Sequence, residues 1–342
     1  MAERLAAHPA ATPQPAVRRV AVVFNPATSP DDAPERKRDL QAALDAAGVE
    51  VVWLETTKQE AGQGLTRQAV EQGVDLVLAA GGDGTVMACV TGLAASGVPL
   101  AVLPGGTGNL LALNLDLPSD LDGALDVALH GDRRELDVGA LDGGADRFVI
   151  MSGLGFDAAM LRDANPALKA RIGALAYVLS GLRQLRRRPG RFRIRLDDQP
   201  PITRVGQGLL IVNLGRLQGG LTVVPDARPD DGVLDVAVLG TRTPLDWLRL
   251  ATQVLLRRQR HGQVQQRQAS PAGPAGPAGP PWLPVELFRA RRVEVDCDRP
   301  QPVERDGDPA GSTRRLVVEI LPRALTLCVP ARAEGSEQED NP

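Results

Sequence analysis

The chain has 342 residues, 43% of them hydrophobic, and a formal net charge of -3 at pH 7. This length can bury two hydrophobic cores and predicts about two domains. The slightly negative net charge argues against a nucleic-acid partner, because proteins that bind nucleic acids rely on an excess of basic residues. The cysteines Cys89, Cys297 and Cys328 are isolated and form no C-x-x-C pair. They indicate neither a disulfide framework nor a thiolate zinc site, and we expect reduced cysteines in a cytoplasmic protein.

Membrane-spanning and secretory segments are not expected. No stretch of the sequence approaches the roughly 20 consecutive apolar residues that a spanning helix needs. Residues 1–17 lack the apolar region of a signal peptide and are predicted to be a flexible tail.

The first half of the chain alternates apolar runs with helical patterns. These patterns predict strands over 19–24, 49–54 and 75–80 and helices over 33–47 and 60–72. Such alternation is typical of βαβ units, which form a parallel sheet with helices on its faces.

The loop after the first predicted strand is polar rather than glycine-rich. It runs from Asn25 to Ser29, and Asn25, Thr28 and Ser29 can all make hydrogen bonds to a nucleotide. An Asn-Pro turn that ends the strand explains the same residues equally well.

Two glycine-rich turns follow the predicted strands 75–80 and 99–103. The first is Gly-Gly-Asp-Gly-Thr at 81–85, and the second is Pro-Gly-Gly-Thr-Gly-Asn at 104–109. Glycines let backbone amides approach an anion closely, and a helix that begins near Thr85 would direct its N-terminus toward a phosphate group. Ligands of open α/β sheets bind at this carboxyl end of the strands. We therefore interpret both turns as phosphate-handling loops.

Polar side chains within these turns suggest individual roles. Asp83, a carboxylate among amides, would reach a hydroxyl group or Mg²⁺, while Thr107 and Asn109 offer a hydroxyl and an amide. Neither standard nucleotide motif accounts for the pattern. The chain has no G-x-x-x-x-G-K-[ST] loop, and no G-x-G-x-x-G follows the first strand.

Beyond Asp137 the pattern changes to short alternating or apolar segments. The predicted strands are 191–196, 208–213, 234–239, 292–296 and 316–320. They indicate an all-β unit and a domain boundary near 137–145.

Three further segments stand apart from this pattern. Residues 263–281 contain a Pro-Ala-Gly repeat and are predicted to be a flexible insertion. Residues 168–188 combine an apolar helical face with a basic end, and residues 249–260 form a second basic segment. Each is either a core helix with a solvated end or a surface that docks on anionic lipid.

Four ordered motifs resemble the signature of the diacylglycerol kinase catalytic-domain family, which includes soluble bacterial lipid kinases and sphingosine kinases. The motifs are the two glycine-rich turns, Gly-Phe-Asp at 155–157, and the acidic segment 225–235. The resemblance extends from about residue 18 to residue 330. It implies an α/β domain over 18–138 whose parallel sheet is like that of phosphofructokinases and NAD kinases. It also implies an all-β sandwich domain over 139–322 and a partly disordered segment over 323–342 that can fold back on the first domain.

The resemblance further implies ATP and Mg²⁺ as cofactors, a membrane lipid as substrate, and transient peripheral contact with the inner face of the membrane. A homodimer is a possible assembly. The nucleotide is expected in the cleft between the domains, with Thr56 near the adenosine. The implied nucleotide-binding residues are Asn25, Pro26, Ala27, Thr28, Ser29, Thr56, Gly81, Gly82, Asp83, Gly84, Thr85, Gly106, Thr107 and Asn109.

The resemblance also implies catalytic carboxylates and a separate magnesium site. Asp308 takes the place of the glutamate in the family's Asp-Gly-Glu motif and would accept the hydroxyl proton, and Asp137 would join Asp83 in a carboxylate network. The implied magnesium site uses Asp231 and the carbonyl oxygens of Arg228 and Val233, with Asp230 linking it toward the cleft.

Two departures from the family pattern bear on activity. Asp308 is one methylene shorter than glutamate, which sets the acceptor back by roughly 1.5 Å. Pro30 stands where the family has glycine, and proline removes an amide donor. A nucleotide- or lipid-binding regulator that has lost catalysis is therefore one alternative. An NAD kinase, which also carries Gly-Gly-Asp-Gly-Thr, is another, although the second glycine turn and the Asp-Asp-Gly turn argue against it.

Overall fold

The computed structural model describes residues 16–28, 30–144, 146–155, 189–217, 221–222, 224, 227–240 and 285–331. The predicted helix 168–188, the basic segment 249–260, the insertion 263–281, Ser29 and most of both tails lie outside the described residues. Within the part of the chain that is described, no helix is both long and apolar enough to cross a bilayer.

The first domain is built from alternating strands and helices. Its strands are β1 (Arg19–Phe24), β2 (Glu50–Glu55), β3 (Leu76–Gly81) and β4 (Leu100–Pro104). Its helices are α1 (Ala33–Ala46), α2 (Gln63–Glu71), α3 (Asp83–Leu93), α4 (Leu110–Asn114) and α5 (Leu121–His130). The predicted strands and helices of this half all occur, and their ends differ from the prediction by at most three residues.

These four strands form a parallel sheet in the order β2-β1-β3-β4. Successive side chains of a strand point to opposite faces, so an unbroken apolar strand needs helices on both sides. In β1, Val20 and Val22 pack in the same core as Leu40 of α1. Ala21 and Val23 belong to the opposite core, which α2 and α3 cover. The predicted βαβ architecture is confirmed.

The second domain is formed by antiparallel strands. They are β5 (Asp132–Leu141), β6 (Asp146–Phe148), β7 (Met151–Leu154), β8 (Gly190–Leu196), β9 (Ile202–Gly206), β10 (Gly208–Val212), β11 (Arg216–Leu217), β12 (Leu221–Thr222), β13 (Leu234–Leu239), β14 (Val285–Ala290), β15 (Arg292–Arg305) and β16 (Asp308–Val329). Strands β14-β13-β10-β7-β15 are neighbours in that order, while β8 and β9 extend from β15. Phe148, Phe192, Leu209 and Val293 are fully buried in the core that these strands enclose. This is the predicted β-sandwich-like domain.

A single strand, β16, belongs to both domains. Its first part pairs with β15, its end pairs with β5, and Leu327 lies beside Leu100 of the parallel sheet. The domain limits expected at 138 and 322 therefore fall inside β5 and β16. The last described residues fold back on the first domain, and the two domains share one 14-stranded sheet, from which only β11 and β12 among the described strands are separate.

Candidate active site

The polar loop after β1 is held against the first glycine-rich turn. Asn25 Nδ2 donates a hydrogen bond of 3.0 Å to Thr85 Oγ1 of α3, and the Thr56 backbone N–H donates to the Phe24 carbonyl. Pro26–Thr28 form a short 3-10 turn, in which Ala27 N–H donates to Asn25 Oδ1. Asn25 thus forms the expected Asn-Pro turn and also orders the neighbouring loop, while its role toward a nucleotide stays a prediction.

The first glycine-rich turn carries Asp83 at the carboxyl end of β3. Gly82 is the N-cap of α3, and no side chain caps that helix end. Asp83 Oδ1 accepts a hydrogen bond of 2.6 Å from the backbone N–H of Leu110, the first residue of α4. Burial raises the pKa of Asp83, although backbone N–H groups of Leu110 and Asn109 lower it, and the nearby negative charge of Asp308 raises it further. The Asp83 side chain therefore fixes the second turn from within the first.

The two glycine-rich turns touch one another through their backbones. A Cβ atom at Gly106 would lie 2.8 Å from Gly82 Cα, so only glycine allows this approach. Asn109 holds the second turn closed, since its Oδ1 accepts from the Gly106 N–H and its Nδ2 donates to the Gly106 carbonyl. Thr107 is exposed at the tip of this turn. Gly81, Gly82, Asp83, Gly84, Thr85, Gly106, Thr107 and Asn109 thus lie on two adjoining turns.

Asp308 reaches this place from the second domain. It is the first residue of β16 and follows the turn at Asp306 and Gly307, in which both residues have positive φ. A Cβ atom at Gly307 would lie 3.9 Å from Leu110 Cδ1, so the turn rests against the start of α4. The structure thus brings Asp308 close to Asp83, although the two residues belong to different domains.

Two buried carboxyl groups lie beside Asp308: Asp306, the first residue of the Asp-Gly-Asp motif, and Glu304, which sequence reasoning missed. Asp306 accepts hydrogen bonds from the N–H groups of Val149, Ile150 and Met151, yet burial raises its pKa to about 7. Glu304 has no exposed surface, and burial together with the negative charge of Asp306 raises its pKa to about 8. Glu304 and Asp306 are buried where the end of β15 meets β7, and the sequence gives no signal of that pairing.

Asp137 lies in a different part of the molecule from Asp83. Its Oδ1 accepts from the Arg323 N–H at 2.8 Å and its Oδ2 from the Gly232 N–H at 2.6 Å. The carbonyl group of Ala324 in turn accepts from the N–H of Ala95, which follows the C-terminus of α3. Asp83 begins this 11-residue helix, so roughly 16 Å of helix separates the two regions. Asp137 joins β16 to the acidic turn and shares no hydrogen bond with Asp83, so their expected network stays a prediction.

The acidic turn, Asp230 to Gly232, borders a cavity of about 350 Å³ that Asp137 also lines. Asp230 accepts from Arg134 Nη2 at 2.7 Å, and Asp231 forms an ion pair with Arg289. Among the described residues, no group of three His, Cys, Asp or Glu side chains is arranged to hold a metal ion.

The side chains of this turn, as they stand, do not fit a magnesium ion. Their negative charges are already paired with arginines, and Arg289 would have to leave Asp231 first. The role expected for Arg228, Asp230, Asp231 and Val233 stays a prediction.

A second cavity of about 480 Å³ adjoins the glycine-rich turns. Pro104, Gly105, Gly106 and Asn109 line it together with Arg36 of α1. A Cβ atom at Gly105 would lie 2.9 Å from an Arg36 guanidinium nitrogen, so this cation rests on the second turn. Sequence reasoning missed Arg36, because it lies in a helix well separated from either turn in sequence.

Comparison with known proteins gives the same picture. Residues 19–141 match the diacylglycerol kinase catalytic domain, and residues 150–269 match the YegS C-terminal NAD kinase beta sandwich-like domain. The Diacylglycerol kinase of Bacillus subtilis (strain 168) is 30% identical over 247 residues, which cover 70% of this chain and 79% of that protein. The "Probable lipid kinase YegS-like" of Chromohalobacter salexigens is 31% identical over 296 residues, covering 84% of each chain.

Solved structures share the fold. A crystal structure from Bacillus anthracis str. Sterne aligns over 93% of this chain and 97% of its own, with 20% identity and a TM-score of 0.71. Another, of a diacylglycerol kinase from the same organism, covers 92% and 98%, with 20% identity and a TM-score of 0.63. An α/β domain joined to a β-sandwich-like domain, together with these relatives, defines a lipid kinase. The chain belongs to the diacylglycerol kinase catalytic-domain family.

Proposed function

We propose that this protein transfers the γ-phosphate of ATP, bound with Mg²⁺, to the hydroxyl group of a lipid, with diacylglycerol as the first candidate and phosphatidic acid as its product. The observation that carries the proposal is the approach of Asp83 and Asp308 at the carboxyl end of the parallel strands. Phosphoryl transfer needs an acceptor for the hydroxyl proton beside a phosphate-binding surface, and these carboxylates adjoin two such turns.

ATP would bind across the two glycine-rich turns. The N-terminus of α3 has no side-chain cap, so its amide groups and dipole are available to a phosphate. A Cβ atom placed on Gly84 would meet no atom within 4 Å, which indicates open space in front of this helix end. Asn25, Thr107 and the Arg36 cation would contribute further contacts to the nucleotide, and Thr56 would lie toward the adenosine.

The reaction would proceed by in-line attack of the lipid hydroxyl on the γ-phosphate. Asp308 would accept the proton of that hydroxyl as the new P–O bond forms and the bond to ADP breaks. Asp83 would orient the magnesium ion that arrives with ATP. Asp137 would act at a distance by holding the end of β16 against the acidic turn.

Relatives named as diacylglycerol or lipid kinases support a lipid acceptor. The protein would act in the cytoplasm and contact the inner face of the membrane transiently, since its substrate resides there. A homodimer is compatible with this mode of action. The acceptor could also be a sphingoid base or phosphatidylglycerol, because no residue described here selects among these alcohols.

A catalytically impaired regulator is the second candidate, and one observation favours it. Asp308 has a shorter side chain than the glutamate of the family motif, and a misplacement of about 1 Å can cost on the order of a hundredfold in rate. Such a protein would bind ATP without transferring phosphate.

The deciding experiment incubates the purified chain with γ-labelled Mg-ATP and a panel of diacylglycerol, sphingosine, phosphatidylglycerol and NAD. Labelled lipid would support the kinase and name its acceptor. Binding of ATP without label on any acceptor would favour the regulator, and label on NAD would contradict both. The Asp83→Asn variant is the matched control for contaminating kinases, because it keeps the hydrogen bond to Leu110 but removes the charge.

A further inference from the structure

The glutamate that precedes the Asp308 turn, Glu304, lies where β15 meets β7. Its Oε2 accepts a hydrogen bond of 3.1 Å from the N–H of Gly307, the residue next to Asp308. Gly153 lies opposite it in β7, and a Cβ atom on Gly153 would come within 2.7 Å of Glu304 Oε1. The Glu304 side chain thus occupies the space left by Gly153, and it holds the turn before Asp308 through the backbone N–H of Gly307.

Among the described residues, the surroundings of Glu304 contain negative charges and no cation that pairs with it. Glu304 Oε1 is buried without a hydrogen-bond partner, and no ion pair among the described residues includes this side chain. Asp306 and Asp308 both contribute unfavourable charge to it. Arg305 lowers the pKa of Asp306 and forms an ion pair with Asp146, while β7 and β10 present only uncharged residues. The negative charge of Asp308 also acts on Asp83.

An ionised carboxylate in such a place would be an unpaired buried charge, whereas a protonated carboxyl group is far less costly. A proton on Oε1 removes the charge and leaves Oε2 free to accept from Gly307. The raised pKa of Glu304, about 8, agrees with this geometry.

We propose that Glu304 is a positioning residue that must be uncharged for the kinase to work, because it holds the turn bearing Asp308 without adding negative charge there. The inference rests on the proposed function. Ionisation of Glu304 would place another negative charge beside Asp308 and Asp83, where the γ-phosphate of ATP would arrive, and would loosen the packing around Gly307. Glu304 would neither touch the substrate nor receive its proton.

The test compares wild type with Glu304→Gln and Glu304→Ala in the labelled-phosphate assay between pH 6.5 and 9. Glutamine keeps the acceptor for the Gly307 N–H and cannot ionise. We expect its kcat at pH 7 to lie within about twofold of wild type. The kcat of wild type should fall above about pH 8, whereas the kcat of the Gln variant should stay constant over the same range. Alanine removes the support of the turn, and a shift of about 1 Å would lower kcat on the order of a hundredfold.

Glu294→Gln is the matched control, because Glu294 lies on the same strand and pairs with Arg292 and Arg315 away from the turn. It should leave the pH profile of wild type unchanged. Thermal unfolding of each variant at pH 6 and pH 8 separates folding from catalysis. Two results would overturn this inference alone. One is a Gln variant that folds but is as inactive as the Ala variant, and the other is a Gln variant whose kcat falls above pH 8 as that of wild type does. A wild-type chain that labels no acceptor would overturn the proposed function and this inference with it.

Discussion

Replacing Gly106 by alanine tests whether contact between the two glycine-rich turns sets the rate. The added Cβ atom would lie 2.8 Å from Gly82 Cα and 3.2 Å from Asn109 Oδ1. Nonbonded carbon atoms rest at about 3.5 to 4.0 Å, so the turns must separate by roughly 1 Å. Overpacking of this kind costs about 1 to 3 kcal/mol of folding free energy. Displacement of a reacting group by about 1 Å costs on the order of a hundredfold in rate.

We therefore expect Gly106→Ala to fold with a lowered melting temperature and to lose about a hundredfold in kcat. The assay is transfer of γ-labelled phosphate to lipid, beside thermal unfolding of the same preparation. Gly97→Ala is the control, because Gly97 has φ of +78° and open space around its Cβ position. It should lose about 1 kcal/mol through backbone strain and keep its kcat. Equal kcat for Gly106→Ala and wild type would refute the argument that this contact positions the site.

Three further predictions concern the carboxyl groups. Asp83→Asn should lower kcat at least tenfold. It should not lower the melting temperature at pH 7, because burial disfavours the charge of Asp83. A lower melting temperature together with the lower kcat would contradict this. Asp308→Glu should lower kcat about tenfold if the site is adapted to the shorter side chain, whereas a gain in labelled lipid would identify an impaired enzyme. Glu304 has a folded pKa of about 8, above its ordinary 4.5, so its contribution to stability is lost as pH rises toward 8, by an amount on the order of 5 kcal/mol. Glu304→Gln should flatten the fall of the unfolding free energy between pH 5 and 8 in denaturant titrations, and an unchanged slope would contradict the assigned burial.

Much of the first domain could be predicted from the sequence, because its order is local. Each apolar run between 19 and 104 forms a strand, and the parallel pairs among β1 to β4 all join two runs within that stretch. The two glycine-rich turns follow directly from strand ends, so their meeting at the carboxyl edge is a consequence of parallel pairing.

The remaining parts depend on pairings that no local pattern reveals. Glu304 and Asp306 are buried because β15 lies beside β7, about 150 residues earlier in the chain, and that register cannot be read from the spacing of charges. The contacts of Asp137 likewise depend on distant pairing, because the irregular register between Leu321 and Leu325 in β16 brings the Arg323 N–H to it. One long strand, β16, serves both domains, and no local pattern in the sequence reveals this sharing.

The strand shared by the domains also constrains how the chain can fold as it is made. Within the described residues, β16 lies between β4 and β5 and pairs with both. Its Leu325 pairs with Leu136 of β5, which precedes it by roughly 190 residues. At about 5 to 20 residues per second, a ribosome needs roughly 10 to 40 s to make that interval. Both strand edges stay open to wrong partners during this time, and exposed edges are where chains aggregate. Completion of the first domain must therefore await synthesis of the second, so the two halves mature together rather than in turn.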